Sequence, residues 1–410
     1  MSNVLLKNIG TIVSGDISNP LLEGDAIFVR QGKIQTVGSD AARNILDADV
    51  VIDCAGATVT PGLFDSHCHV VLGDYTPRQQ QTGFLESEVH GGVTTFISAG
   101  EVHLAGRPKD PAGTKALAIV AAKSFANFRP GGGKVVGGSV ILEKGLTKAD
   151  FEEMAREGVC TVGEVGLGTV KNPEDAAPMV QWAKECGMTV MMHTGGTSIP
   201  GSSTVTAEMV IQTGPDIVSH INGGPTAVAL DEVKRLVADT DFALEMVHCG
   251  NPKIMVEAAN LCVEHNALQR IIIGNDAPSG TGVVPLGVLR VIAHLASLSS
   301  IKPEEAICMA TGNTARVHKL PRGAIVKGLE ADLTIMDAPM GWVGEDALAA
   351  IDNALGLGRQ MHVHSTVPAD IDGDGDLDLL TTHPQSHPRL YLNQRVGVFD
   401  EVSADWGLAG

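Results

Sequence analysis

Two histidines separated by one residue, His67 and His69, are the first side chains in the sequence that could do chemistry. They follow an apolar run at residues 59–64, which predicts a buried strand ending in a polar tip. Side chains two positions apart on a strand point the same way, so both imidazoles can approach one metal ion. Because this spacing alone is weak evidence for a metal site, its interpretation depends on the polar residues that follow.

Four further polar residues each stand at or just after the end of a short apolar run: Glu164, His193, His220 and Asp276. Glu164 and His193 are 29 residues apart, and His193 and His220 are 27 apart, which is close to one βα unit. The 56 residues from His220 to Asp276 fit two units, with the run at 242–247 as the strand between them. A parallel barrel places its chemistry at the carboxyl ends of its strands. We therefore expect all six donors to converge on one face.

Together with these donors, the stretch Pro61-Gly-Leu-Phe-Asp-Ser-His-Cys-His69 resembles the amidohydrolase superfamily, metal-dependent hydrolases built on a (β/α)8 barrel. Residues 1 to about 358 resemble more closely the enamidases, cyclic amidohydrolases that open 6-oxo-1,4,5,6-tetrahydronicotinate. The resemblance implies two divalent metal ions, one held by His67, His69 and Asp276, the other by His193 and His220, with Glu164 bridging both. Many relatives bridge with a carboxylated lysine, but Lys134 and Lys144 are placed less well than Glu164.

The resemblance also implies a reaction. Asp276 is expected to act as the catalytic base and then as the acid, and the opened enamide to hydrolyse to 2-formylglutarate and ammonia. Neutral imidazoles suit zinc, and Fe(II) also accepts this mixture of nitrogen and oxygen ligands. Two alternatives stay open: a different cyclic amidase, of the dihydropyrimidinase or dihydroorotase kind, and a non-catalytic scaffold with a calcium-binding tail. Relatives of this kind are commonly homotetramers.

Alternating apolar runs and amphipathic segments predict an α/β fold with the barrel at residues 57–320. The predicted barrel strands lie near residues 59–64, 93–98, 138–142, 159–165, 188–193, 217–220, 242–247 and 271–274. The predicted helices include residues 148–156, 174–185, 227–237 and 252–264. Residues 1–56 alternate short apolar strings with turns, which predicts a small antiparallel sheet. The resemblance implies that residues 321–358 complete this small β-sandwich domain, without the closing strands usual in the family.

Several polar residues near the predicted donors are candidates for contacts with substrate or for support of the ligands. Arg129 and Lys134 lie in the glycine-rich loop at 128–138, which we place over the third strand, and could meet a substrate carboxylate. This loop does not have the spacing of a phosphate-binding loop. Four more candidates follow donors or strands closely: Thr197, Asn222, His248 and Asn275. Turn chemistry is the alternative role for each of them.

The sequence after residue 358 departs from the enamidase pattern. It contains an acidic repeat whose carboxylates alternate along the chain: Asp370, Asp372, Asp374, Asp376 and Asp378. This tail, residues 359–410, resembles one FG-GAP repeat of an integrin-like propeller, which indicates a fused C-terminus. Such carboxylates with a central glycine suit Ca²⁺. Because a single blade cannot bury its faces alone, a poorly packed acidic tail is the alternative.

Composition narrows the classes of partner. The 410-residue chain carries a net charge of −19, which disfavours nucleic acid. A hydrophobic content of 44% with 48 glycines suits an α/β protein with many tight loops. The seven cysteines include no Cys-x-x-Cys pair, which indicates reduced thiols in the cytoplasm. The sequence has no apolar run of the roughly 18 residues that a membrane span needs, and we expect no membrane partner.

Overall fold

The computed structural model describes residues 2–72, 81–104, 106–197, 202–223, 227–278, 282–338, 346–354, 365–369, 378–383, 386–393 and 399–401. Its strands are β1 (Val4–Lys7), β2 (Thr11–Val13), β3 (Leu21–Leu22), β4 (Ile27–Arg30), β5 (Lys33–Val37), β6 (Val50–Asp53), β7 (Thr58–Pro61), β8 (Leu63–Cys68), β9 (Val93–Ser98), β10 (Lys134–Val136), β11 (Thr161–Val165), β12 (Thr189–Met192), β13 (Ile217–Val218), β14 (Ala243–Val247), β15 (Ile271–Gly274), β16 (Leu333–Met336), β17 (Ser365–Ala369), β18 (Asp378–His383), β19 (Ser386–Asn393) and β20 (Phe399–Glu401).

The α-helices are α1 (Gln81–Val89), α2 (Pro111–Asn127), α3 (Lys148–Arg156), α4 (Pro173–Glu185), α5 (Ala207–Thr213), α6 (Leu230–Asp239), α7 (Pro252–Glu264), α8 (Gly287–Leu298), α9 (Pro303–Cys308), α10 (Thr314–Val317) and α11 (Ala347–Asp352). Short 3-10 turns cover Ser39–Asp47, Pro130–Gly132 and Leu268–Arg270, and a π turn covers Met309–Asn313. The predicted bounds of α3 and α7 agree with the observed ones. The predicted bounds of α4 and α6 differ from the observed ones by up to three residues. Within the described residues, no helix is both long and apolar enough to cross a membrane.

Parallel strands form the centre of this α/β fold in two sheets, ordered β10-β9-β8 and β11-β12-β13-β14-β15. Single parallel bridges join the sheets at both seams, Val140 to Val162 and Cys68 to Ala277. Helices α1 to α7 connect successive strands, and α8 follows β15. Every residue of β15 is buried, because helices cover one face of the sheets and packed side chains fill the other.

The first barrel strand does not run over residues 59–64 as the sequence predicted. The chain changes sheets at Gly62: β7 pairs with β16 and β2, whereas β8 pairs with β9. A Cβ on Gly62 would lie 2.1 Å from Thr94 Oγ1, so only glycine lets the backbone pass this close. His67 therefore stands inside β8 and His69 directly after it, and the first strand of the parallel sheets begins at Leu63.

The third strand also lies elsewhere than predicted. The ladder with β9 is made by β10, while the predicted segment at 138–142 makes only the isolated bridge at Val140. Gly138 adopts a left-handed backbone with φ 80°, which interrupts the strand after Val136. The glycine-rich loop consequently enters β10 from the amino-terminal end of the sheet and does not cover the carboxyl end.

Two further sheets, ordered β5-β4-β1-β6 and β16-β7-β2-β3, form the smaller layer of the molecule. Both are mixed, which corrects the predicted antiparallel arrangement: β1 pairs with β6 and β2 pairs with β7 in parallel. The intervening segments return the chain to the same end before the next strand begins. A separate core that includes Ile12, Ile27, Ile34 and Val59 fills the space between these sheets.

Strands β17 to β20 form a four-stranded antiparallel sheet in chain order. Of the predicted calcium ligands, Asp378 begins β18, whereas Asp370, Asp372, Asp374 and Asp376 lie outside the described residues. The calcium loop and the FG-GAP resemblance therefore stay predictions.

Candidate metal centre

The structure brings the six predicted donors together at the carboxyl ends of the parallel strands. Their ligand atoms form two groups, each with all atoms within 4.8 Å of one another: His67, His69 and Asp276 in one group, and Glu164, His193 and His220 in the other. Five of the six residues are buried, and the Asp276 side chain is 20% exposed. Solvent therefore reaches the centre on the Asp276 side.

Glu164, on β11, lies between the histidines of its own group and His67 of the other group. Its Oε1 lies 2.7 Å from His220 Nε2 and 3.3 Å from His193 Nδ1, and its Oε2 lies 3.6 Å from His67 Nε2. Burial alone would raise the pKa of Glu164, but the charge of His67 and the histidine hydrogen bonds outweigh it and hold the pKa well below its ordinary value. An ionised carboxylate placed between two groups of imidazoles can serve both.

Asp276 follows β15 and completes the other group. Its Oδ1 lies 2.9 Å from His69 Nε2 and 3.8 Å from His67 Nε2. Burial would raise the pKa of this carboxyl, yet the hydrogen bond from His69 and the neighbouring histidines lower it, so the carboxylate is ionised at neutral pH. Asp276 is thus a charged acceptor at the edge of the centre.

Two of the six donors have a left-handed backbone. The φ angle is 35° at His220 and 59° at Asp276, a region that non-glycine residues rarely adopt. The Asp276 N–H donates to His67 O over 2.8 Å, which anchors this conformation to β8. Such strain costs of the order of 1 kcal/mol for each residue and concentrates at functional sites.

The donor set fits metal ions. His67 Nε2 is buried and has no hydrogen-bond partner in the described part of the chain, yet it points at two carboxylate oxygens 3.6 Å and 3.8 Å away. Two ligands of one tetrahedral zinc ion are separated by about 3.4 Å, given bonds of about 2.1 Å. These spacings are too long for hydrogen bonds and suit ligands that converge on a cation.

Sequence reasoning missed two buried carboxylates that hold His67. Glu245 Oε2 lies 2.6 Å from His67 Nδ1, and Asp65 Oδ1 accepts the His67 backbone N–H over 3.0 Å. Asp65 also accepts the Asn275 N–H over 2.8 Å, and burial raises the pKa of Asp65 to about 6. The available signal was a charged residue inside the apolar run of β14, because a buried charge requires partners.

Arg129 and Lys134, predicted to meet a substrate carboxylate, lie at the amino-terminal end of the strands. Lys134 Nζ forms ion pairs of 2.7 Å with both Glu330 and Asp332. The Arg129 guanidinium donates to backbone carbonyls at the end of α2 over 3.2 Å and 2.8 Å. This prediction was wrong because it assigned the glycine-rich loop to the opposite end of the third strand.

Asn222 has the structural role that the sequence analysis gave as the alternative to a substrate contact. Its Nδ2 donates to Val247 O and its Oδ1 accepts the Val247 N–H, each over 2.9 Å, so the amide links two strand ends. The Asn275 Nδ2 donates to Glu88 Oε1 over 2.7 Å and to Val284 O over 2.9 Å. Protein partners therefore occupy both ends of the Asn222 amide and the amino group of Asn275.

The remaining two candidates, Thr197 and His248, stay predictions. Thr197 is exposed on the segment after His193. His248 directly follows β14, and its backbone N–H donates to Gly274 O over 3.2 Å. Burial lowers the pKa of the His248 ring, which is therefore neutral at pH 7.

Comparison with known proteins identifies the family of this chain. Residues 58–367 match the sequence model of the amidohydrolase family. The chain belongs to that family. An enamidase of Eubacterium barkeri is 60% identical to this amidohydrolase over 351 residues, which cover 86% of the chain and 91% of the enamidase. An adenine deaminase of Listeria innocua is 26% identical, and the match covers 82% of the chain but only 54% of the deaminase.

Solved structures give the same grouping. A crystal structure of enamidase matches this amidohydrolase with a TM-score of 0.82 at 60% identity, covering 86% of this chain and 91% of that one. A D-hydantoinase (dihydropyrimidinase) from Thermus sp. matches with a TM-score of 0.56 at 19% identity, covering 81% and 86%. At that identity the second likeness shows the fold alone.

Proposed function

We propose that this amidohydrolase is an enamidase that hydrolyses the ring C–N bond of 6-oxo-1,4,5,6-tetrahydronicotinate. The observation that carries the proposal is the convergence of all six donors in a chain 60% identical to an enamidase. A scaffold without catalysis has no need of six converging polar donors, five of them buried, because burial of such groups is unfavourable.

The donor groups assign the proposed ligands. His67, His69 and Asp276 would hold one ion, His193 and His220 the other, and Glu164 would serve both. The mixture of imidazole and carboxylate favours zinc, with Fe(II) as an alternative for the second ion. When bound, two divalent ions would lower the pKa of the attacking water and polarise the amide carbonyl.

The protein supplies the proton transfers in this proposal. The Asp276 carboxylate, ionised and 2.9 Å from His69 Nε2, accepts a proton from the attacking water. The same oxygen then gives that proton to the departing ring nitrogen, so one group acts as base and then as acid. The new C–O bond forms first, and the C–N bond breaks when the resulting tetrahedral intermediate collapses. A second water then hydrolyses the enamine to 2-formylglutarate and ammonia.

The proposal extends to architecture and assembly. The bridges at both seams support closure of the two parallel sheets into one (β/α)8 barrel that ends near residue 320. Residues 1–61 and 321–358 would form the small β-sandwich domain, since β7 and β16 pair there, and residues 359–410 a separate tail. The seven free cysteines support a reducing cytoplasm. The homotetramer expected from the resemblance is proposed as the assembly.

Three substrates test the proposed activity. Purified full-length protein should convert 6-oxo-1,4,5,6-tetrahydronicotinate with release of one ammonium ion per ring, measured by a coupled dehydrogenase assay. It should not open dihydrouracil or dihydroorotate at a comparable rate, as followed by loss of ring absorbance. Turnover of only the latter two would overturn the enamidase proposal and favour another cyclic amidase. The Asp276→Asn variant is the matched control for contaminating activity.

A further inference from the structure

Glu245 is a fully buried carboxylate outside the six donors. It stands in the middle of β14, two residues before the strand ends. Its Oε2 lies 2.6 Å from His67 Nδ1, and its Oε1 accepts a hydrogen bond of 2.6 Å from Ser66 Oγ. Both carboxylate oxygens are thus engaged by neighbouring residues of β8. A buried carboxylate is retained only with such partners, because unpaired burial costs several kcal/mol.

The intervening strand is shaped to allow this contact. Glu245 reaches β8 across β15, and β15 carries a glycine there, Gly274. A Cβ on Gly274 would lie 2.8 Å from His67 Cβ and 3.1 Å from Ser66 Oγ. Any side chain at this position would therefore push against the residues that meet Glu245.

The contact determines which nitrogen of His67 faces the centre. A carboxylate only accepts, so Nδ1 must carry the hydrogen and donate it to Glu245. When His67 binds metal as the neutral ring, its lone pair would be on Nε2, the atom that faces the oxygens of Glu164 and Asp276 at 3.6 Å and 3.8 Å. The backbone of His67 is held separately by Asp65. Glu245 consequently acts on the ring and not on the strand.

We infer that Glu245 is a positioning residue that fixes His67 in the tautomer and orientation in which Nε2 binds metal. This inference rests on the metal centre proposed above. It adds a residue from the seventh parallel strand to a centre whose six donors come from the first, fourth, fifth, sixth and eighth. Removal of such a supporting partner typically weakens metal affinity 10-fold to 100-fold.

The test measures zinc affinity of the full-length protein by competition with a chromophoric chelator after metal removal and reloading. Glu245→Leu should weaken the affinity of one zinc ion about 10-fold to 100-fold. Ser66→Ala, which removes one of the two hydrogen bonds, should have a smaller effect. Glu245→Gln keeps an oxygen acceptor for Nδ1–H and should recover much of the affinity. The absorption spectrum of the Co²⁺-loaded protein should change in the Leu variant and less in the Gln variant.

Glu143→Gln is the matched control. Glu143 is also fully buried, but it accepts hydrogen bonds from Arg107 and from the Thr169 N–H, which lie outside the six donors. It should lower the melting temperature of the metal-free protein without weakening zinc binding. If Glu245→Leu does not fold, the zinc affinities of Ser66→Ala and Glu245→Gln test the inference. Both should be weaker than the zinc affinity of wild type.

Different results would overturn the role of Glu245 and the metal centre itself. Zinc affinity that is equal in wild type, Glu245→Leu, Glu245→Gln and Ser66→Ala would overturn the role of Glu245 and leave the metal centre intact. A weakening in Glu245→Leu matched by the same weakening in Glu143→Gln would show a general effect of core damage and also overturn it. A wild-type protein that binds no zinc, Fe²⁺ or Co²⁺ would overturn the metal centre itself, and the inference with it.

Discussion

The two ends of the parallel strands use charge in opposite ways. At the amino-terminal end, Lys134 and Arg322 lie between Glu330 and Asp332, with ion pairs of 2.7 Å to 3.6 Å that balance cation against anion. At the carboxyl end, four imidazoles and two carboxylates converge, and the buried Nε2 of His67 has no hydrogen-bond partner among the described residues. The charged groups at the amino-terminal end neutralise one another, whereas the donors at the carboxyl end are suited to bind an added cation.

This difference separates stability from function along one set of strands. The amino-terminal network links β10 to the segment before β16 and so holds the parallel sheets against the smaller sheets. The carboxyl end contains the left-handed residues His220 and Asp276, whose conformations cost stability. Substitutions at the carboxyl end should therefore abolish activity, whereas substitutions at the amino-terminal end should lower stability and spare activity.

The largest expected effect is at the carboxyl end. Glu164→Gln should lower kcat at least about 1,000-fold, equivalent to about 4 kcal/mol, because the carboxylate facing both donor groups loses its charge. The metal-free variant should also melt at a lower temperature, because the lowered pKa of Glu164 means that its charge stabilises the fold at neutral pH. Steady-state kinetics and calorimetry on the same preparation check both points. Retention of more than about a tenth of wild-type kcat would show that Glu164 has no bridging role.

A buried histidine at the amino-terminal end should make the fold sensitive to acid. His318 is 6% exposed, neither ring nitrogen has a hydrogen bond within the described residues, and burial lowers its pKa to about 3. Between pH 6.5 and 3 the unfolded chain binds a proton that the folded chain does not, so stability falls as pH falls. At pH 5 this difference amounts to about 2 kcal/mol.

His318→Leu should remove this dependence. In metal-free protein, the loss of unfolding free energy between pH 7 and pH 5 should be about 2 kcal/mol smaller than in wild type, as measured by urea unfolding. His265→Gln, at an exposed position on the surface, is the control and should leave the pH dependence unchanged. Identical slopes in wild type and His318→Leu would show that His318 is not buried in neutral form.

Lys134→Met should lower stability and spare catalysis. The variant keeps the apolar stem but leaves Glu330 and Asp332 with Arg322 alone, and the partial exposure of these groups limits the expected loss to about 1–2 kcal/mol. Lys123→Met is the control, because the Lys123–Glu157 pair is exposed and should contribute nothing measurable. An increase in KM with unchanged stability would instead indicate that Lys134 binds the substrate, as the sequence analysis predicted.

The smallest effect is expected from the tail. Removal of residues 359–410 should leave the metal content unchanged and kcat within about twofold, because every proposed ligand lies between residues 67 and 276. Elemental analysis and kinetics of the truncated protein test this. Loss of metal on truncation would mean that the tail supports the barrel end that carries the site.

The donors could be predicted because a strand end is a local feature of sequence. Glu164, His193, His220 and Asp276 each follow an apolar run at intervals of whole βα units, and the structure places them accordingly. Strand boundaries were less accessible. The break at Gly62 depends on the close approach of Thr94, which is 32 positions away in sequence and becomes a neighbour only in the folded sheet.

Contacts between distant strands explain the other errors. Lys134 is read as a site residue because its partners, Glu330 and Asp332, follow almost 200 positions later. Glu245 is overlooked because its partners are on β8, 178 and 179 positions earlier. No local pattern encodes either pairing, although a charged residue within an apolar strand indicates that a partner must exist.

Elemental analysis of the purified full-length protein is the most direct test of the metal centre. Wild type should contain about two transition-metal ions per chain and Glu164→Gln fewer, with activity that is lost on chelation and restored on reloading. An undiminished kcat per chain in protein with less than about 0.1 ion per chain would contradict this expectation.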